Sequence, residues 1–102
     1  MLKDTIKLND EAKLILISSF NEMNDIIIKA IVSYKSHDRY DLGYVVTKSY
    51  SDMCETGYFC WDNQNIYLCD DSNNCYQIFN YIDKQLITND YLSQHIFKLN
   101  YK

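Results

Sequence analysis

The feature that most limits the fold of this chain is a regular spacing of apolar residues in its first third. After Asn9, apolar side chains return every third or fourth residue, which is the repeat of one face of an α-helix. Asn9 is suited to cap such a helix, and Asp10 and Glu11 would lie at the positive end of its dipole. The spacing predicts one helix of about 25 residues that ends near Ser36. Its apolar positions are Ala12, Leu16, Phe20, Met23, Ile27, Ile31 and Tyr34.

The middle third is typical of β-strands. A strand is predicted to open at Gly43 and run through residues 44–50, and a second to open at Gly57 and run through residues 58–61. The polar residues 62–65 then lead into a third strand over residues 66–69. Aromatic and β-branched runs on both sides of such a turn are typical of a β-hairpin. A further short strand is indicated before the helix, over residues 3–8.

The hydrophobic pattern also predicts the register of this hairpin. Pairing Trp61 with Ile66 and Phe59 with Leu68 places these four side chains on one face, toward the core. The opposite face then carries Tyr58, Cys60, Tyr67 and Cys69.

Two helices are predicted after the hairpin. Asp70 to Ser72 would cap the first helix, whose apolar positions follow helical spacing, and Thr88 or Asn89 would cap the second. The chain is long enough for one domain, over residues 1–102. The expected fold class is α+β, with a long N-terminal helix, a three-stranded antiparallel sheet and two C-terminal helices. The inward positions are Cys75, Ile78, Phe79, Ile82 and Leu86 in the first of these helices, and Leu92, His95, Ile96 and Leu99 in the second.

Four cysteines with the spacing C-x5-C-x8-C-x5-C raise the question of a disulfide or a metal site. They are Cys54, Cys60, Cys69 and Cys75. Zinc sites usually take each ligand pair from a C-x2-4-C turn, and the first residues lack a secretory signal, so reduced thiols in the cytoplasm are expected. The hairpin register makes Cys60 and Cys69 diagonal neighbours at roughly 7 Å, too far for an unstrained bridge. Structural thiols without metal or cofactor are favoured, and a disulfide and a zinc site remain alternatives.

Familiar catalytic motifs are absent from the sequence. With glycine only at positions 43 and 57 there is no P-loop and no dinucleotide-binding fingerprint. Both histidines, His37 and His95, are interpreted as structural. The sequence therefore predicts a protein that is not an enzyme.

The distribution of charge gives the main functional indication. Residues 49–83 contain six acidic residues and no lysine or arginine, whereas the whole chain has a formal net charge of −4. This charge disfavours direct binding of nucleic acid, and no apolar run is long enough to cross a membrane. One interpretation is a solvated hairpin whose acidic residues keep the protein soluble and whose tyrosines cover the sheet. The other is a recognition surface, because carboxylates interleaved with tyrosines suit a partner rich in arginine and lysine. The expected partner-binding residues are Glu55, Tyr58, Asp62, Tyr67, Asp70 and Asp71.

The acidic hairpin over residues 55–71 and its flanking helices resemble small phage-encoded inhibitors of the anti-CRISPR type, which mimic DNA. The resemblance implies a cytoplasmic, non-enzymatic inhibitor in a host cell. Its partner would be a basic host protein that handles nucleic acid, such as a CRISPR effector. An alternative is an interaction or assembly subunit, such as a homodimer, that uses the apolar segment over residues 26–32 of the long helix. A cysteine-based metal or redox module is a third hypothesis.

Overall fold

The described part of the chain consists of β-strands and turns. A computed structural model describes residues 2–47, 57–70 and 72–87, and none of these residues is helical. The strands form two four-stranded antiparallel sheets, ordered β1-β2-β3-β4 and β5-β6-β7-β8. The prediction of an α+β fold with a long N-terminal helix is therefore wrong. The strands are β1 (Leu2–Lys7), β2 (Ala12–Phe20), β3 (Ile26–Tyr34), β4 (Arg39–Thr47), β5 (Gly57–Trp61), β6 (Asn65–Asp70), β7 (Cys75–Asn80) and β8 (Gln85–Leu86).

The hairpin of β2 and β3 replaces the expected N-terminal helix. Phe20 pairs with Ile26, and residues 21–25 form the turn between them. The Asn21 side-chain oxygen accepts hydrogen bonds from the backbone N–H groups of Met23 and Asp25, each at 2.9 Å. Asn24 has a φ of 61°, a left-handed conformation that asparagine tolerates. These interactions close the turn that reverses the chain in the middle of the expected helix.

Asn9 makes the kind of bond expected of a helix cap, but in a β-turn. Its side-chain oxygen accepts hydrogen bonds from the backbone N–H groups of Glu11 and Ala12, both at 2.8 Å. This turn joins β1 to β2. The pair of Lys7 and Lys13 is the one nearest to the turn. The short strand predicted over residues 3–8 is confirmed as β1.

Gly43 lies inside β4 and does not open that strand. β4 pairs with β3 in the first sheet, so the predicted three-stranded sheet with β5 and β6 is wrong. Ala30 pairs with Gly43 and Ile31 with Asp41, which leaves Leu42 as the extra residue of a bulge. The φ of Gly43 is 94°, a value that glycine adopts without a Cβ clash. The bulge sends the Leu42 side chain into the core, where it is fully buried.

The predicted register of the second hairpin is confirmed. Trp61 pairs with Ile66 and Phe59 with Leu68 across β5 and β6. Phe59, Ile66 and Leu68 are buried as expected. Trp61 is 39% exposed, so its predicted place in the core is wrong.

The chain after β6 also forms strands where a helix was predicted. Cys75 and Ile82, two positions of the expected buried helical face, are exposed. Ile78 and Phe79 are both buried because a register shift opposite Ile66 and Tyr67 leaves an extra residue in β7. The last predicted helix, which begins at residue 88 or 89, lies outside the described residues.

Tyr34 connects the two sheets. Its hydroxyl donates a 2.8 Å hydrogen bond to the backbone carbonyl of Tyr81, and its ring lies edge-on to Tyr40. The Lys84 ammonium lies 4.6 Å from the centre of the same ring and bonds Asp38 at 2.8 Å. Both sheets contribute side chains to the surrounding core. That core contains Ala12, Leu14, Ala30, Val32, Tyr34, Leu42, Val45, Phe59, Ile66, Leu68, Ile78, Phe79 and Tyr81.

We expect stability to fall in alkaline solution because of Tyr34. Burial, followed by the nearby Tyr40 and Asp38, raises the pKa of its phenol well above the ordinary range. The folded state therefore favours the neutral phenol, and this contribution is complete below the pKa of an unfolded tyrosine, about 10. As the pH rises above that value, the free energy of unfolding should decrease. Urea denaturation between about pH 8 and 11 measures how steeply the free energy of unfolding depends on pH.

Tyr34→Phe is the matched variant for this experiment. It keeps the ring and removes the titrating hydroxyl, so its free energy of unfolding should depend less on pH in the alkaline range. The Tyr34 assignment fails if the variant keeps the full wild-type slope.

Candidate functional site

The outer face of the second sheet brings together several residues that the sequence analysis selected. Tyr58 on β5 and Tyr67 on β6 lie on this face, as the confirmed register requires. Tyr58 is 41% exposed, and its hydroxyl donates a 3.1 Å hydrogen bond to the side chain of Asn73. Tyr67 is half-buried and donates a 2.8 Å hydrogen bond to Asp62. Both phenols are thus held in defined positions.

Asp62 is the acidic residue of this face, in the turn between β5 and β6. Its carboxylate accepts hydrogen bonds from the backbone N–H groups of Asn65 and Gln64, at 2.7 and 2.8 Å, as well as from Tyr67. These bonds, with the Asn65 amide as the largest contribution, lower the pKa of the Asp62 carboxyl group. The exposed side chain is therefore ionised at neutral pH. The ion pairs within the described residues do not include Asp62.

Asp70 lies at the other end of β6 and is turned inward. The residue is only 6% exposed. Its carboxylate accepts hydrogen bonds from the backbone N–H groups of Ser72 (3.0 Å) and Asn74 (2.9 Å) and from the Asn74 side chain (3.3 Å). These bonds hold the turn into β7. We therefore leave Asp70 out of the binding surface. Glu55 and Asp71 lie outside the described residues.

Three sulfur atoms meet on the same face, beside the tyrosines. Cys69 and Cys75 pair across β6 and β7 with their Cα atoms 4.1 Å apart, and they form a disulfide. The Cys60 Sγ atom lies 3.0 Å from that of Cys69. All three Sγ atoms lie within 4.8 Å of one another.

The cysteine prediction was wrong where it depended on the helix. It placed Cys75 on a buried helical face, and therefore missed the bridge between β6 and β7. The diagonal placement of Cys60 and Cys69 follows from the confirmed register, and these two cysteines are not bridged. For Cys69 and Cys75 the disulfide alternative is correct, and the expectation of reduced thiols is wrong. Cys54 lies outside the described residues.

Cys60 is a protected thiol in this structure. It is half-buried, and burial, followed by the negative charge of Asp62, raises the pKa of the thiol. It is therefore protonated at neutral pH, which lowers its reactivity as a nucleophile.

His37 lies in the exposed turn between β3 and β4 of the first sheet.

Comparisons of the chain with protein-family models, curated proteins and solved structures found no match. Within the described residues, no helix is long and apolar enough to cross a membrane. The resemblance to anti-CRISPR inhibitors depended on the acidic hairpin together with the helices expected to flank it, and the described residues on both sides form strands instead. That resemblance is withdrawn, and none of these findings supports a phage origin.

Proposed function

We propose that this chain is a non-catalytic protein-binding domain that recognises a cationic protein surface. The binding residues are Tyr58, Asp62 and Tyr67, which we name the tyrosine face. The supporting observation is that the Asp62 carboxylate is fixed in an exposed turn by two backbone amides and the Tyr67 hydroxyl.

The arrangement suits an arginine or lysine side chain. The Oδ2 atom of Asp62 accepts a hydrogen bond from the Tyr67 hydroxyl and keeps a second lone pair for a guanidinium or ammonium group. A tyrosine ring can lie against the same cation. Tyrosine also supplies contact area at a low cost in conformational entropy. Because Asp62 and Tyr67 are already held in place, these side chains lose little conformational entropy on binding. No lysine or arginine occurs within residues 49–83 to compete for the carboxylate from within this segment.

The partner class follows from this chemistry. Proteins that bind nucleic acid carry concentrated patches of lysine and arginine, so they are the partners that we propose. The alternative of a homodimer through a long apolar helix loses its basis. Residues 26–32 lie in β3, an interior strand paired on both sides with β2 and β4.

We expect binding to depend on Asp62 and on salt. The probe is an immobilised peptide rich in arginine, with a glutamate-rich peptide of the same length as the negative control. Asp62→Asn keeps a side-chain oxygen for the turn but removes the charge, and it should weaken binding by about tenfold. Tyr58→Ala should also weaken binding. Affinity should fall steeply between about 50 and 500 mM salt, and biolayer interferometry measures both effects.

Asp10→Asn is the matched control. Asp10 is exposed in the turn between β1 and β2, where it pairs with Lys7 at 3.1 Å. The variant has the same net charge as Asp62→Asn. Comparing their affinities therefore distinguishes binding at a specific site from general electrostatic attraction. Equal losses in the two variants, or binding indifferent to salt, would refute the tyrosine face.

A further inference from the structure

We propose that the reduced protein binds one thiophilic metal ion, Zn²⁺, through Cys60, Cys69 and Cys75. The supporting observation is that three sulfur atoms from three neighbouring strands lie within 4.8 Å of one another. This site goes beyond the binding of a cationic partner and does not depend on it.

The sheet supplies the convergence that the linear spacing lacks. Zinc ligands usually come from a C-x2-4-C turn because two thiolates must approach one ion. Here Cys69 and Cys75 are direct partners across β6 and β7, and Cys60 is the diagonal neighbour of Cys69 on β5. Strand pairing therefore brings the three side chains together regardless of the number of residues between them.

The sulfur positions are close to those that zinc requires. Zn–S bonds of about 2.3 Å in tetrahedral geometry place two thiolate sulfurs roughly 3.8 Å apart. The Cys60 and Cys69 sulfurs are 3.0 Å apart, and the widest separation in the cluster is at most 4.8 Å. A shift of about 1 Å, within the reach of side-chain rotation, brings the Cys60 and Cys69 sulfurs to this spacing. The Cys69 and Cys75 sulfurs are bonded to each other and must move apart once the disulfide is opened.

The burial of the three residues gives the ion one open side. Cys69 is fully buried, Cys60 is half-buried and Cys75 is exposed. An ion can therefore enter from the side of Cys75, while the sheet closes the opposite side. Three protein ligands leave a fourth tetrahedral position for water or an external ligand.

Metal binding requires the disulfide to be opened first. A thiol or phosphine reductant supplies two electrons, and with two protons the Cys69–Cys75 bond becomes two thiols while the reductant is oxidised. Zn²⁺ then displaces the protons of three thiols without any change in its own oxidation state.

The experiment compares the reduced and oxidised forms of the full chain. Reduced protein is titrated with Zn²⁺ without air, in competition with a chromophoric chelator. We expect one Zn²⁺ per chain and an affinity at least about tenfold lower in Cys60→Ser, Cys69→Ser and Cys75→Ser. The oxidised chain should bind no more Zn²⁺ than these variants, because two of its sulfurs are bonded to each other. Replacing Zn²⁺ with Co²⁺ gives an absorption spectrum that reports thiolate ligation.

Two controls keep the result interpretable. Cys54→Ser removes the cysteine that is not assigned to the site, and it should keep wild-type affinity. Cys60→Ser leaves the disulfide pair intact, and its circular dichroism in the oxidised form shows whether the fold is kept. Wild-type affinity in the folded Cys60→Ser variant would overturn the proposal. So would equal binding by the oxidised chain, or a loss in Cys54→Ser as large as in the other three.

Discussion

Phe79→Ala is expected to lower the free energy of unfolding by about 3–5 kcal/mol. Phe79 is fully buried in β7, and its ring centre lies 5.1 Å from that of Tyr40 in the other sheet. Alanine would remove this contact and leave a cavity between packed side chains. Urea denaturation followed by the fluorescence of Trp61, the single tryptophan of the chain, measures the loss.

Phe20→Ala is the matched control, and it also tests the fold. Helical spacing places Phe20 on a buried face, whereas at the end of β2 it is 68% exposed. The same substitution there should change the free energy of unfolding by less than about 0.5 kcal/mol. Similar losses at the two positions would contradict the strand arrangement.

The N-terminal helix was predicted because the apolar residues of β2 and β3 are too numerous to show a period of two. Leu14 and Ile15 are consecutive and both buried, so they do not alternate between a covered and an open face. From such a dense apolar run, a subset with spacings of three and four can always be selected. The better signal was the number of β-branched residues, which favour strands. These are Ile15, Ile17, Ile26, Ile27, Ile28, Ile31 and Val32.

The β5–β6 hairpin could be predicted because residues close together in the sequence determine its pairing. The polar turn over residues 62–64 is short. A shift of the strand pairing by one residue would exchange the two faces of the hairpin. Phe59, Ile66 and Leu68 are therefore enough to specify the pairing. This register also placed Tyr58 and Tyr67 on the face opposite the core, where the structure has them.

Two of the polar residues that are predicted to begin helices lie at turns between strands instead. Asn9 and Asp70 were expected to cap helices, and both accept backbone N–H bonds as a cap does. The same short side chains stabilise β-turns with very similar bonds. Only the strand that follows distinguishes the two cases. For this reason the cysteine cluster was also missed, because it needs β7 beside β6.

Asp70→Ala is expected to lower the free energy of unfolding by about 2 kcal/mol, because it removes a buried carboxylate that accepts three hydrogen bonds. The substitution removes the acceptor of the Ser72 and Asn74 backbone N–H groups, which close the turn into β7. Asp70→Asn retains one acceptor oxygen, so it should recover most of the loss. Urea denaturation of the three proteins measures the difference.

Asp62→Ala provides the comparison that separates a buried turn carboxylate from an exposed one. Asp62 accepts two backbone bonds of the same kind, at 2.8 and 2.7 Å, but water can replace its oxygens. Its alanine variant should therefore lose less stability than Asp70→Ala while losing affinity for the arginine-rich peptide. Since Asp70 holds a turn, Asp70→Asn should bind the peptide as the wild type does. The opposite outcome, lost affinity in a stable Asp70→Asn variant, would return Asp70 to the binding surface.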